Sequence, residues 1–298
     1  MRRALAGVLV FAAACGGGSD AIPSTTAAGG TTEPRPGVCD RYGPGEVAGV
    51  LGYDDLSEAS GIVIDASGTL WAHNDSGSEP RLFAMDRTGA TLGVVEVEAR
   101  NVDWEAIAVG PGPDGTAYLY VADIGDNFER RRHVTLYRFP VPSTADGLVA
   151  EPESLDVMYP GGPDDAETLV VDRATGDAFI VTKVLGSGVV YEVPATAWGS
   201  GTVEAVSVGA VPLPLPDAVV TGGDVSADGS VVALRTYGDV RLFLRDAGET
   251  IGEAMTHRSC SVATLEEAQG ESVAFDGETL LTVGEGAGAE IHRYEPRP

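Results

Sequence analysis

Short apolar runs alternate with Asp- and Gly-bearing turns along most of the chain, and one pattern returns. Asp103, Trp104 and Glu105 lead into Ala106, Ile107, Ala108 and Val109. Asp165, Ala166 and Glu167 lead into Thr168, Leu169, Val170 and Val171. Gly270 and Glu271 lead into Ser272, Val273, Ala274 and Phe275. Two copies lack the Glu, one over Ala59 to Ile64 and one over Thr221 to Ser226. The runs have strand length and carry no helical period; Glu266–Gln269 is the best helical scrap, at most one turn. A fixed pattern recurring along a chain marks a repeat architecture.

Each copy extends the same way, through a turn with Asp and Gly into a second apolar run, then a third and often a fourth. The first unit continues through Leu70–His73, Arg81–Met85 and Leu92–Val97. The second continues through Ala117–Ala122, Val134–Phe139 and Leu155–Tyr159. The third continues through Ala178–Thr182, Val189–Val193 and Val203–Val211. The fourth continues through Val231–Thr236 and Val240–Arg245, with a vague fourth strand near Ser261–Leu265. The fifth has three strands only, ending with Thr279–Val283 and Glu290–Tyr294. A spare run, Glu46 to Leu51, precedes the first unit and predicts the missing strand of the fifth, so that the two ends of the chain close a ring. Four-stranded units around an axis hide the sheet edges that an open array would expose. The expected fold is therefore all-β, a five-bladed β-propeller over residues 37–298, with Ser60, Glu105, Glu167, Gly222 and Glu271 at matching positions. A sixth blade has room only in 246–268 or 143–164.

Composition agrees. Forty Gly and 18 Pro in 298 residues, with 43% hydrophobic content, suit a turn-rich all-β domain with a large core. The formal charge of −26 argues against nucleic acid, whose phosphates need Lys and Arg, and against anionic lipid as a partner of the folded domain. It is compatible with cation binding and equally with a solvated acidic coat. The one basic cluster, Arg130 to His133, is expected to pair with that acidic surface.

The first residues read as targeting. Arg2 and Arg3 precede an apolar stretch, Ala4 to Ala14, too short to span a bilayer. It ends at Cys15, and residues 1–15 resemble a bacterial lipoprotein signal whose cysteine is lipidated; plain secretion is the alternative. Residues 16–36 are mostly Gly, Ser, Thr, Ala and Pro with almost no large apolar group, a tether by composition. The expected protein is exported, periplasmic or at the cell surface, touches the membrane through its lipid alone, and is monomeric. Cys39 and Cys260 then remain as a candidate disulfide, or as two buried thiols.

In a propeller the first strand of each blade starts, and the second ends, at the same mouth of the central channel. First-strand starts supply Ser60, Asp103, Glu105, Asp165, Glu167, Asp224 and Glu271. Second-strand ends supply His73 to Gly77 with Asp75, Asp123 to Asn127 with Asp126, then Lys183, Arg235 to Tyr237, and Glu285. Crowded carboxylates must be neutralised by protonation, by Lys or Arg, or by a cation, and oxygen-rich sites suit Ca²⁺, Mg²⁺ or Mn²⁺. One reading has Glu105, Asp123, Glu167 and Glu271 hold a divalent cation, Ca²⁺ first. The other has the glutamates merely accept hydrogen bonds from neighbouring blades and from Lys183 or Arg235. Trp71, Trp104 and Trp198 are expected to pack between blades. No nucleophile elbow, phosphate loop or dinucleotide fingerprint is present.

Trp71 to Gly77, Asp103 to Ala108, Asp123 to Asn127, Ala166 and Glu167 with Lys183, and Leu234 to Tyr237 together resemble a group of exported bacterial WD-repeat-like propellers without an established activity. The ring of strand-start acids is more distantly similar to gluconolactonase/regucalcin-like lactonases and phytase-like propellers. That similarity implies a carboxylate-bound divalent cation, with Glu105, Glu167 and Asp123 as the positional equivalents, although those enzymes usually have six blades. The expected function is binding of a small ligand at an acidic mouth. Its enzymatic form is cation-dependent hydrolysis of a lactone, ester or phosphoester, with Asp75 or Asp126 as base and Lys183 or Arg235 stabilising anionic charge. The alternative is a non-enzymatic binding protein gripping a protein or glycan.

Overall fold

The inner runs lack polar alternation because each inner strand is covered on both sides by its neighbours, so every residue must suit a buried site. This holds in the computed structural model, which describes residues 37–143, 147–213 and 218–297. The expected signal segment 1–15, Cys15 and the tether 16–36 lie outside those residues.

The chain forms a five-bladed propeller. After β1 (Glu46–Val50), blade 1 comprises β2 (Ala59–Ile64), β3 (Leu70–Asn74), β4 (Arg81–Met85) and β5 (Thr91–Val97). Blade 2 is built from β6 (Trp104–Pro111), β7 (Ala117–Asp123), β8 (Val134–Pro140) and β10 (Glu153–Met158), with β9 (Leu148–Ala150) between the last two in sequence. Blade 3 is built from β11 (Ala166–Val171), β12 (Ala178–Thr182), β13 (Ser187–Val193) and β15 (Val206–Pro212), with β14 (Thr202–Glu204) before its outer strand. Blade 4 contains β16 (Val220–Val225), β17 (Val231–Thr236), β18 (Asp239–Leu244) and β19 (Cys260–Ala263). Blade 5 contains β20 (Gly270–Asp276), β21 (Thr279–Gly284) and β22 (Glu290–Tyr294), completed by β1, which pairs antiparallel with β22 as the spare run predicted.

The core is not one mass but five wedges, each between two neighbouring blades. Trp71, Leu82, Trp104 and Tyr137 belong to the wedge between blades 1 and 2; Tyr120, Leu136, Leu169 and Ile180 to the next. The remaining seams are filled in the same way. Trp104 lies 5.8 Å from His73 of blade 1, and Trp198 lies 5.8 Å from Tyr120 of blade 2, so both pack between blades as expected.

Each seam also carries an outer strap, and these account for the irregular regions. The segment between the third and fourth strands of a blade reaches back to the blade before it. In blade 2 that segment is β9, which pairs parallel with β5; in blade 3 it is β14, which pairs parallel with β10. In blade 4 it is a helix, α1 (Ile251–Met255), packed on β13 and β15. In blade 1 it is the turn 86–90, where Thr88 accepts a hydrogen bond from the Val50 N–H at 3.2 Å. In blade 5 it is the segment before β1, whose Cys39 is disulfide-bonded to Cys260 of β19, the pairing predicted for an exported chain.

Three expectations are corrected here. Val203–Val211 is not one strand: β14 joins blade 2 and only β15 completes blade 3. The one-turn helix is not at Glu266–Gln269 but at α1, where Thr250 and Glu253 form a capping box. Neither 246–268 nor 143–164 hides a blade; they hold straps and outer strands.

Candidate functional site at the channel mouth

The five inner strands share a local defect. Register slips by one residue between Ala59 and Gly61, Trp104 and Ala106, Ala166 and Thr168, Val220 and Gly222, and Gly270 and Ser272. The extra residues are Ser60, Glu105, Glu167, Thr221 and Glu271. A β-bulge re-aims a side chain that regular pairing would fix on one face. The pattern read in the sequence is thus a ring of bulges, and in blade 4 its member is Thr221, one residue before the Gly222 expected at that position. The two hydroxyl members bond the next blade: Ser60 Oγ donates to Glu105, with its carbonyl at 3.1 Å and Oε2 at 3.0 Å, and Thr221 Oγ1 donates to the Gly270 carbonyl at 2.7 Å.

Below the bulges the axis closes. Gly61, Ala106, Gly222, Gly223 and Ser272 line a void of about 10 Å³, at the lower limit for a single water. A Cβ on Gly222 would lie 2.5 Å from the Glu271 carbonyl oxygen. Five blades leave so little space at the axis that the inner strands must carry small residues, and the channel is a capped funnel rather than a pore.

At the funnel's mouth, first-strand starts and second-strand ends meet as the topology predicted, except for Asp224, which lies near the far end of β16 and pairs with Arg173 at the opposite face. The N–H groups of Asp75, Gly125, Lys183 and Glu285 donate to the carbonyls of Glu58, Asp103, Asp165 and Gln269. Oxygens of Asp75, Asp103 and Glu105 lie within 4.8 Å of one another, a separation at which one cation could take all three. Gly125 makes this possible: a Cβ there would stand 2.5 Å from both Asp103 Oδ2 and Glu105 Oε1. Glu167 is buried, and its Oε1 accepts a hydrogen bond from Lys183 Nζ, whereas its Oε2 has no partner.

Electrostatics follow from the crowding. Burial, then the charges of Asp75 and Asp165, push Asp103 up to about 6. Burial pushes Glu167 up to about 8, with Glu271 and Asp165 adding to it against the pull of Lys183. Burial and Glu285 push Glu271 up to about 7. Glu105 is raised well above the carboxylate range by burial and by Glu167, Asp75 and Asp103. Lys183 is held as the ammonium: burial opposes its charge, but Glu167 outweighs that. The mouth favours positive charge, supplied by protons when no cation is there.

Other predicted residues are engaged elsewhere. Asp123 accepts from the N–H groups of Val102 and Asp103, at 3.2 and 3.1 Å, and pairs with Arg131 at 2.7 Å. Asp126 accepts from the N–H groups of Arg130 and Arg131, at 2.6 and 2.7 Å. Both organise the loop that places Gly125. Arg235 is wholly buried, paired with Glu267 at 2.8 Å beneath Gly270. It holds blade 4 to blade 5, and its charge reaches the mouth only through space, as a pull on Glu271. The residue that sequence reasoning placed at the mouth without a role is Asp103; its signal was the acid two positions before Glu105, repeated by Asp165 before Glu167.

The opposite end differs. A depression of about 400 Å³ there is lined by Arg87, Arg173 and Phe275 among others. Arg87 pairs with Asp276, Arg173 with Asp224 at 3.2 Å, and nearby Arg245 with Asp172 at 3.0 Å. These pairs bridge blades and neutralise one another, so this end is the chemically quieter one.

No protein-family model and no curated protein matches the sequence. Among solved structures the chain is similar to streptogramin B lyase, at 10% identity over 88% of this chain and 100% of that one, with a TM-score of 0.47. It is similar to a chain of a nidogen/laminin complex at 14% identity, over 77% and 73% of the two chains, with a TM-score of 0.42. A protein of unknown function from Bacteroides caccae gives 9% identity, 76% and 71% coverage, and a TM-score of 0.43. At such identities and scores the likeness carries no argument.

Proposed function

We propose that the acidic mouth is a divalent-cation site, Ca²⁺ first, and that the chain is an exported, lipid-tethered propeller that binds a small ligand there. The observation that carries this reading is the convergence of Asp75, Asp103 and Glu105 on one point beside the buried, unpartnered Oε2 of Glu167. Hard oxygen donors suit Ca²⁺, whose remaining positions would fall to water or to the ligand. Asp75, Asp103 and Glu105 would hold the ion, with Glu167 beside them; Asp123 is not in this set because Arg131 and two backbone N–H groups already occupy it.

In the hydrolytic form of this reading, on a lactone, ester or phosphoester, a bound cation supplies polarisation of a substrate oxygen or of a water. The chain's own part is narrower. Lys183 offers an ammonium to charge developing on the substrate, and Glu167 Oε2 is placed to hold or accept a proton. Asp75 passes from base to cation ligand, and Asp126 and Arg235 drop out because their hydrogen bonds are spent on the fold.

Thermal unfolding at pH 8 tests the cation. Calcium at a hundredfold excess over its dissociation constant should stabilise by about 2.7 kcal/mol, raising Tm by about 5–10 °C over the EDTA sample. Glu105→Gln should abolish that shift. Coincident melting curves in EDTA and Ca²⁺ overturn the proposal.

A further inference from the structure

The loops around the acidic mouth carry exposed apolar side chains. Phe128, at 77% exposure, and Leu185, at 67%, are the most exposed large apolar residues among those described, and both stand on this face. Val184 and Tyr237 join them, each at 42%. Leu185 lies in the turn between β12 and β13, Tyr237 in the turn between β17 and β18, and Phe128 in the loop after β7. Lys183 ties this rim to the funnel: its Nζ bonds Glu167 and lies 5.7 Å from the centre of the Tyr237 ring. Isolated exposed apolar residues need no explanation, but an apolar group bordering a polar pocket marks a place where a ligand is covered.

We propose that the mouth takes an uncharged amphiphile, with a carbonyl oxygen seated at the acids and Lys183 and an apolar tail lying over Val184, Leu185 and Tyr237. This rests on the cation reading for the seat of the head group and goes beyond it in fixing the ligand's charge and shape. The charge follows from the balance at the mouth. Asp75, Asp103, Glu105, Asp165, Glu167 and Glu271 face one ammonium, Lys183, already bonded to Glu167, while Arg131 and Arg235 act on Asp103 and Glu271 from ion pairs of their own with Asp123 and Glu267. One divalent ion leaves that balance unfavourable to an anion, whereas a neutral carbonyl donates a lone pair without repulsion. Among the substrate classes above, carboxylic esters and lactones meet this requirement and phosphoesters do not. The tail follows from the rim, whose apolar surface is contiguous with the only described cationic side chain bonded to a bulge glutamate.

The test uses N-alkylacetamides, which are neutral, carbonyl-bearing and resistant to hydrolysis, with butyl, hexyl and octyl tails. Calcium is first titrated alone into the full chain; the amides are then titrated in saturating Ca²⁺ and again in EDTA. Full burial of a methylene is worth about fourfold in affinity, so a tail lying on an open rim should gain about twofold per methylene. Hexanoate and octanoate should bind at least about tenfold more weakly than the amides of matched tail. The double variant Val184→Ser/Leu185→Ser should flatten the series while calcium binding stays as in the parent. A flat series in the parent, an unchanged slope in the double variant, or carboxylates binding as well as amides overturns the amphiphile. Calcium binding with a flat series sinks the amphiphile and leaves the cation. A slope that persists in EDTA without any calcium binding supports the amphiphile and sinks the cation.

Discussion

The site depends on Gly125 as well as on its acids. The glycine's missing side chain is what lets Asp103 and Glu105 approach, since a Cβ would meet an oxygen of each at 2.5 Å. Gly125→Ala changes no charge, yet it should remove the calcium-dependent rise in Tm while the calcium-free protein loses no more than about 1–3 kcal/mol from the added methyl. Calorimetric titration of the variant checks this, and undiminished calcium binding would show that the cation sits elsewhere. Glu105→Gln makes the complementary case. Replacing a buried carboxyl whose pKa is raised by a neutral amide relieves repulsion, so the calcium-free variant should melt higher than the parent at pH 8 even though its response to calcium is gone.

The inner strands and the straps divide the work at the level of elements. Inner strands carry Gly and Ala because five blades crowd the axis, and Gly222 is the tightest case. Gly222→Ala drives a Cβ into the Glu271 carbonyl and should cost about 1–3 kcal/mol, read from denaturant unfolding with the slope unchanged. The straps hold the wedges from outside. Four use hydrogen bonds or packing, and the fifth, at the seam beside the chain closure, is covalent. The Cys39–Cys260 bond spans a sequence separation of 221, for which loop-closure entropy sets a ceiling of about 5 kcal/mol. Cys39→Ser with Cys260→Ser should lower stability by about 2–5 kcal/mol, and reduction of the parent should match it. A smaller loss in both would mean that β1 closes the ring unaided.

The whole molecule couples its acidity to its stability through the mouth. Asp103, Glu271 and Glu167 titrate near 6, 7 and 8 in the folded protein, above the ordinary carboxylate range. The folded state therefore binds more protons than the unfolded chain between about pH 4 and 8, and the stability this gives is present below pH 4 and lost as pH rises through 6 to 8. Without calcium, Tm should fall by several degrees from pH 5 to pH 8; with calcium the fall should shrink, because the ion replaces the protons. A calcium-free Tm that rises over this range would mean the acids are ionised and relieved by some other cation.

The sequence by itself determined the repeat, the closing strand and the recurring acids, and narrowed the blade count to five or six. Each depends on local pattern: strand-length runs, turn residues, and a glutamate at one fixed place in a repeat. It offered Cys39 and Cys260 as a pair but left two buried thiols open, and the fold settled the bond by bringing the first strap beside β19. What the tertiary structure alone decided was the fate of each polar group. Asp123 and Asp126 look as free as Asp75 along the chain, but Arg131 and the backbone of one loop occupy both. Arg235 reads as a charge at the mouth and is instead sealed beneath Gly270. Thr221 and Gly222 cannot be told apart until the bulge shows which one is extra. Strand pattern is set by neighbours two residues away, whereas a side chain's partner is set by which distant blade arrives beside it.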